Sequence, residues 1–220
     1  MFCNCANSTG HNFVFTYFGV SVPIKIIRYA LKVQSTTVGR DHVPLCKRIF
    51  QGGSELIQEI EFPRGTSLCG KESEFYYRDS YKLNSKKLNY DAKHIYYGIF
   101  GVLPKPAQWM MAFRNAIMKW FGFSVGNFDT NLLLENIEEG KKAGFLMIES
   151  VTNREVVSGS YEKHMDIWIS VLKLSDSEFA VSTLVNMKTN TSRVYLKIIK
   201  PFHKVLAKYA IRHAINNKRI

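Results

Sequence analysis

His164 and Asp166 stand two residues apart in a stretch that alternates apolar and polar side chains. On a strand they share one face, about 7 Å apart by strand rise. A carboxylate beside an imidazole orients it and raises its basicity, as a general base requires. The chain offers neither a nucleophile elbow nor an HExxH metal helix. The pair is therefore read first as polar groups satisfying hydrogen bonds at a strand end or cavity wall, and a cyclase- or lyase-like acid–base role is the alternative. Gly52-Gly53-Ser54 and the Gly140 to Gly144 stretch lack the spacing and Lys-Ser/Thr end of a phosphate loop. The four cysteines, Cys3, Cys5, Cys46 and Cys69, have no metal spacing and are read as free thiols, so neither metal nor cofactor is expected.

Three further groups could do chemistry. Arg114-Asn115 interrupts an otherwise apolar segment, and a buried guanidinium there needs an acidic partner, which Asp79 or Asp166 could supply. Arg114 is read either as half of a structural ion pair or as the anchor for a ligand head group. His203 follows Pro201, whose missing N–H leaves the carbonyl of Lys197 without its usual helical partner. Lys197, Lys200, Lys204, Lys208 and Arg212 form a basic stripe, read as a solvated face or as a contact for an anionic membrane surface. The stripe carries no interleaved aromatics for base stacking, which argues against nucleic acid.

Elements with recognisable periods must position these groups. Phe75, Tyr77, Asp79, Tyr81 and Leu83 alternate along one strand face. Asp91 is placed to cap a helix running to about Phe100, with Ile95 and Ile99 on one side. Pro106 opens a second helix over about 107–121, apolar around much of its circumference (Trp109, Met110, Phe113, Trp120) and closed by Gly122. Four strand-like stretches follow, Phe145–Val151, Glu155–Ser160, His164–Leu174 and Phe179–Met187, joined by short turns that imply antiparallel neighbours. In the third, Met165, Ile167 and Ile169 form one face and His164, Asp166, Trp168 and Ser170 the other. Apolar residues from Val194 to His213 then recur every three or four positions straight through Pro201. One helix from about Ser192 to Ile215, kinked at the proline, fits this period. The alternative is a strand to Lys200 followed by a helix from Pro201.

Charge is uneven along this frame. Residues 179–220 hold nine Lys/Arg and no acid, for +9, whereas 61–178 hold fifteen of each. The net +12 is thus concentrated in the last element. No stretch reaches the roughly 18 apolar residues of a membrane span. The apolar run Phe13–Ile24 has no basic residue before it and no cleavage pattern after it, so a cytoplasmic location is expected. Residues 1–60 show no clear period and are read as an N-terminal extension to a domain over 61–220.

The order of strand, two helices, antiparallel meander and long terminal helix resembles the helix-grip architecture of the START and birch-pollen-allergen superfamily. Several motifs are similar to the family called domain of unknown function 2867. They are Tyr77-Arg78-Asp79-Ser80-Tyr81, Arg114-Asn115, Phe121-Gly122-Phe123, Lys163-His164-Met165-Asp166, Ser170-Val171, Arg193-Val194-Tyr195 and Pro201-Phe202-His203-Lys204. The resemblance spans about 62–220. Where the family pattern has His-Asn and then Gly-Arg, this chain has Lys188-Thr189 and Ser192-Arg193. The resemblance implies an α+β helix-grip fold, a curved antiparallel sheet around the C-terminal helix, with a cavity; it brings no activity. The resulting expectation is a non-catalytic binder of a small hydrophobic ligand. Tyr77, Asp79, Tyr81, Trp109, Arg114, His164, Asp166, Trp168 and His203 are its candidate lining. The oligomeric state is not legible.

Overall fold

The computed structural model describes residues 14–17, 20–23, 57–87, 89–102, 105–120, 132–144 and 146–220. The chain divides into two units, Met1–Ile49 and Phe50–Ile220. In the first, β1 (Val14–Tyr17) and β2 (Val20–Pro23) pair antiparallel.

The second unit is α+β. Its strands are β3 (Ile57–Glu59), β4 (Tyr76–Asn84), β5 (Lys142–Ala143), β6 (Leu146–Val151), β7 (Glu155–Tyr161), β8 (Met165–Lys173) and β9 (Glu178–Met187). They form one seven-stranded sheet in the order β3-β4-β9-β8-β7-β6-β5, every pair antiparallel. The meander β6 to β9 follows from the short turns between alternating segments, as the sequence implies, and the two-residue β5 adds an edge that the sequence reading did not include. β3 corrects the assignment of residues up to 60 to the extension. Its three residues pair with β4, Glu59 opposite Tyr81, and so belong to the sheet.

Helix α1 (Ala92–Phe100) begins at Asp91, whose carboxylate accepts from the His94 amide at 2.9 Å. Helix α2 spans Lys105–Trp120 and α3 spans Asn190–Asn216. Helix α3 passes through Pro201 without interruption, so the reading of one terminal helix holds and the strand alternative does not. It starts in a reciprocal cap: the Thr189 hydroxyl accepts from the Ser192 amide and the Ser192 hydroxyl from the Thr189 amide, each at 3.2 Å. Thr189 and Ser192 thus build the entry to α3.

Apolar side chains divide between the two sides of the sheet. On the helical side, Tyr81, Val171, Phe179 and Val181 pack with Ile95 and Ile99 of α1 and with Ala210, Ile211 and Ile215 of α3. A neighbouring cluster joins Met165 and Val185 to Met118 of α2 and to Tyr195 and Ile199 of α3. Gly98 lets the C-terminal Ile220 lie against α1, because a Cβ there would collide with the Ile220 side chain. On the far side, Leu68 in the β3–β4 connection packs on Val157, Trp168 and Leu184. β9 is therefore covered on both faces, which explains why eight of its ten residues are buried.

Candidate functional site

Strand alternation on β4 and one turn of α3 assemble the site. Tyr77, Asp79 and Tyr81 project from the same face of β4, and His203 reaches them from α3, just after Pro201. Asp79 is only 7% exposed, so its carboxylate can be satisfied only by protein groups or trapped water. Its Oδ2 accepts from the Tyr77 hydroxyl at 2.7 Å and the Tyr81 hydroxyl at 3.0 Å. His203 Nε2 lies 3.2 Å from Oδ2 and 3.4 Å from Oδ1. Burial alone would raise the Asp79 pKa, but His203 and then the two tyrosine hydroxyls outweigh it and hold the carboxyl below its ordinary value. The tyrosines answer in the opposite sense. Burial, reinforced by the Asp79 charge, drives both phenols well above their usual range.

Tyr77, Tyr81 and His203 also line a cavity of about 200 Å³ between the sheet and α3. The rest of its wall is mainly apolar, including Ile167, Ile169 and Val181 from the sheet and Ile199, Leu206 and Ala207 from α3. Thr183, opposite Asp79 in the β4–β9 register, contributes a hydroxyl. Tyr96 of α1 lines it as well; its hydroxyl donates to Ser158 at 2.9 Å, and burial pushes its pKa up to about 12. Among the described residues no cluster of three or more His, Cys, Asp or Glu converges to hold a metal ion.

The structure separates His164, Asp166 and Trp168 from this cavity. On β8 the cavity takes the face of Met165, Ile167 and Ile169. Alternation therefore sends His164, Asp166 and Trp168 to the far side, a correction to their placement at the cavity wall. Asp166 pairs with Lys188 at 2.6 Å, and His164 Nδ1 lies 3.3 Å from the Thr189 hydroxyl. Both thereby fasten the β9–α3 junction. Trp168 donates its indole N–H to Glu149 Oε1 at 2.9 Å. Trp109 and Arg114 belong to α2, but their side chains lie outside the described residues, as do Gly122, Cys3, Cys5 and Cys46. Cys69 is a free, exposed thiol.

The basic stripe is partly engaged. Lys204 and Lys208 reach Glu59 of β3 at 2.5 and 3.2 Å, and these contacts, Lys204 first, hold Glu59 below the usual glutamate range. The ammonium of Lys200 sits 5.1 Å from the Tyr77 ring centroid and that of Lys208 5.4 Å from the Tyr81 ring. Lys197 is exposed, and Arg212 lies further along α3 at intermediate burial.

Two networks on the far face escaped the sequence reading. Glu149 gathers Lys71 at 2.9 Å, Tyr161 at 2.7 Å and Trp168. Glu155 accepts from Thr66, Ser67 and Ser170. Together they pin the β3–β4 connection across the sheet. The small buried residues Ser80, Ser158, Ser170 and Ser182 were the available signal that strands with polar positions are covered on both sides.

With fold and site in view, comparison with known proteins gives a family. The family described as protein of unknown function (DUF2867) matches residues 72–210, more than half of the chain, and the chain belongs to that family. No curated protein and no solved structure matches it. The match contains β4, α1, α2, α3 up to residue 210 and the meander, and with them Tyr77, Asp79, Tyr81 and His203. No helix among the described residues is long and apolar enough to cross a membrane.

Proposed function

We propose that the protein is a non-catalytic, cytoplasmic binding module of helix-grip type that holds a small hydrophobic ligand between its sheet and α3. The observation that carries this reading is the apolar cavity of about 200 Å³ with a polar corner at Tyr77, Asp79, Tyr81 and His203. Tightly packed cores leave few voids larger than a water molecule. A space of this size exceeds the roughly 150 Å³ that suffices for benzene in an engineered apolar cavity. It falls short of the roughly 300 Å³ at which drug-sized sites begin. The ligand is accordingly small, on the scale of one substituted ring or a short acyl chain. Native mass spectrometry of protein purified from cells tests the reading. A small adduct is expected on the wild-type chain and its loss in Ala207→Phe, which fills the cavity from α3. An adduct that persists in that variant would place the ligand elsewhere.

A second reading concerns the outer face of α3. Val194, Ile198 and Val205 are 51%, 42% and 42% exposed at spacings of four and seven, beside the exposed Lys197 and Lys200. This apolar-and-basic edge suits an anionic membrane surface. Binding to phosphatidylserine-containing vesicles that weakens with salt and with Ile198→Asp is the expected result; absence of binding at low salt excludes it.

A further inference from the structure

The proton inventory of the cavity's polar corner restricts the chemistry of what it holds; this step rests on the ligand-binding reading above. A phenol has one O–H to give and each ring nitrogen of histidine at most one N–H. Tyr77 and Tyr81 both spend theirs on Asp79 Oδ2, at 2.7 and 3.0 Å, and His203 directs Nε2 at the same carboxylate. The two phenol oxygens keep lone pairs to offer but no proton. Tyr96 has given its proton to Ser158. Thr183 and Tyr195, the other hydroxyls of the lining, can donate or accept and so set no preference.

Charge points the same way. Asp79 is a buried carboxylate directly behind the two phenols, and no Lys or Arg is among the described lining residues. Lys200 and Lys208 lie against the tyrosine rings but outside that lining, and Lys208 shares Glu59 with Lys204. A ligand carboxylate placed at this corner would meet acceptors and a like charge in a site poor in water. A hydroxyl or amino group would meet the lone pairs that lack a proton.

We propose that the cavity selects a small apolar molecule bearing a hydrogen-bond donor, an alcohol, phenol or amine, and rejects the corresponding carboxylate. The donor approaches the Tyr77 and Tyr81 oxygens, and the hydrocarbon part lies against Ile169, Val181, Ile199 and Ala207.

Four probes of one size test this on the full chain at pH 8: toluene, benzyl alcohol, benzylamine and benzoate, each titrated by NMR or calorimetry. Benzyl alcohol and benzylamine are expected to bind at least about tenfold more tightly than benzoate, the equivalent of one net hydrogen bond. Asp79→Asn replaces one acceptor oxygen by an NH2 donor and removes the charge, and it should shrink that gap to about threefold or less without moving the toluene affinity. Should that variant fold poorly, Tyr77→Phe at the half-buried position should weaken benzyl alcohol and benzylamine but not benzoate. Benzoate binding as tightly as benzyl alcohol, with toluene also bound, overturns the donor rule and leaves the cavity reading intact. Failure of all four probes overturns both.

Discussion

Replacing Asp79 by alanine removes the acceptor on which three side chains from two elements converge. Net contributions of hydrogen bonds to charged groups run about 1.5–3 kcal/mol each, but they are not additive when partners can find water. Tyr77 is half-buried and its hydroxyl recovers solvent, whereas Tyr81 is 1% exposed and cannot. The loss should therefore be about 3–5 kcal/mol, roughly two such bonds. That is a large share of the roughly 5–15 kcal/mol that stabilises a typical domain. Urea unfolding at pH 7, with m unchanged between wild type and variant, measures it. The pH dependence supplies an independent check on the cause. His203, Tyr77 and Tyr81 hold the folded-state Asp79 pKa below its ordinary 3.8. Its stabilisation is then fully present above the unfolded-state value and is lost as pH falls through the folded one. The difference between wild type and Asp79→Asn should shrink as pH falls below 3.8. A loss under about 1 kcal/mol in Asp79→Ala, or a difference that ignores pH down to complete unfolding, would refute the cluster as a charged hydrogen-bond node.

Other perturbations probe the surrounding frame. Gly159→Ala places a methyl group against Glu149 Oε1 and the Trp168 ring, so it should cost about 1–3 kcal/mol and alter tryptophan fluorescence in the folded state. Thr189→Ala removes the reciprocal cap of α3 and should lower stability by about 0.5–2 kcal/mol in denaturant melts. Glu59→Gln, at a half-exposed site shared by Lys204 and Lys208, should change stability by less than about 1 kcal/mol, and that small effect should fade in high salt.

The sequence carried the elements further than the site. Two-residue alternation was enough to set Tyr77, Asp79 and Tyr81 on one face of β4, and the 3.6-residue period was enough to carry α3 through Pro201. Neither period says which strand face a helix covers. On β8 both faces are buried, one by α3 and the cavity, the other by the β3–β4 connection, so polarity at His164 and Asp166 resembled a cavity wall although it anchors the β9–α3 junction. The connection itself was hidden because Phe62 and Leu68 are isolated apolar residues without a period. β3 is three residues long, too short to show alternation. His203 was named for the lining, but its pairing partner was not identified. Its pairing with Asp79 joins positions 124 apart in the chain, a contact no local pattern encodes.

The claim that a small molecule occupies the space between sheet and α3 is tested most directly by methyl-labelled NMR titration with toluene. Saturable shifts at Ile169, Val181, Ile199 and Ala207, abolished by Ala207→Phe, are the predicted outcome. Shifts confined to Leu68, Val157 and Leu184 on the opposite side of the sheet, or none at any concentration, would contradict it.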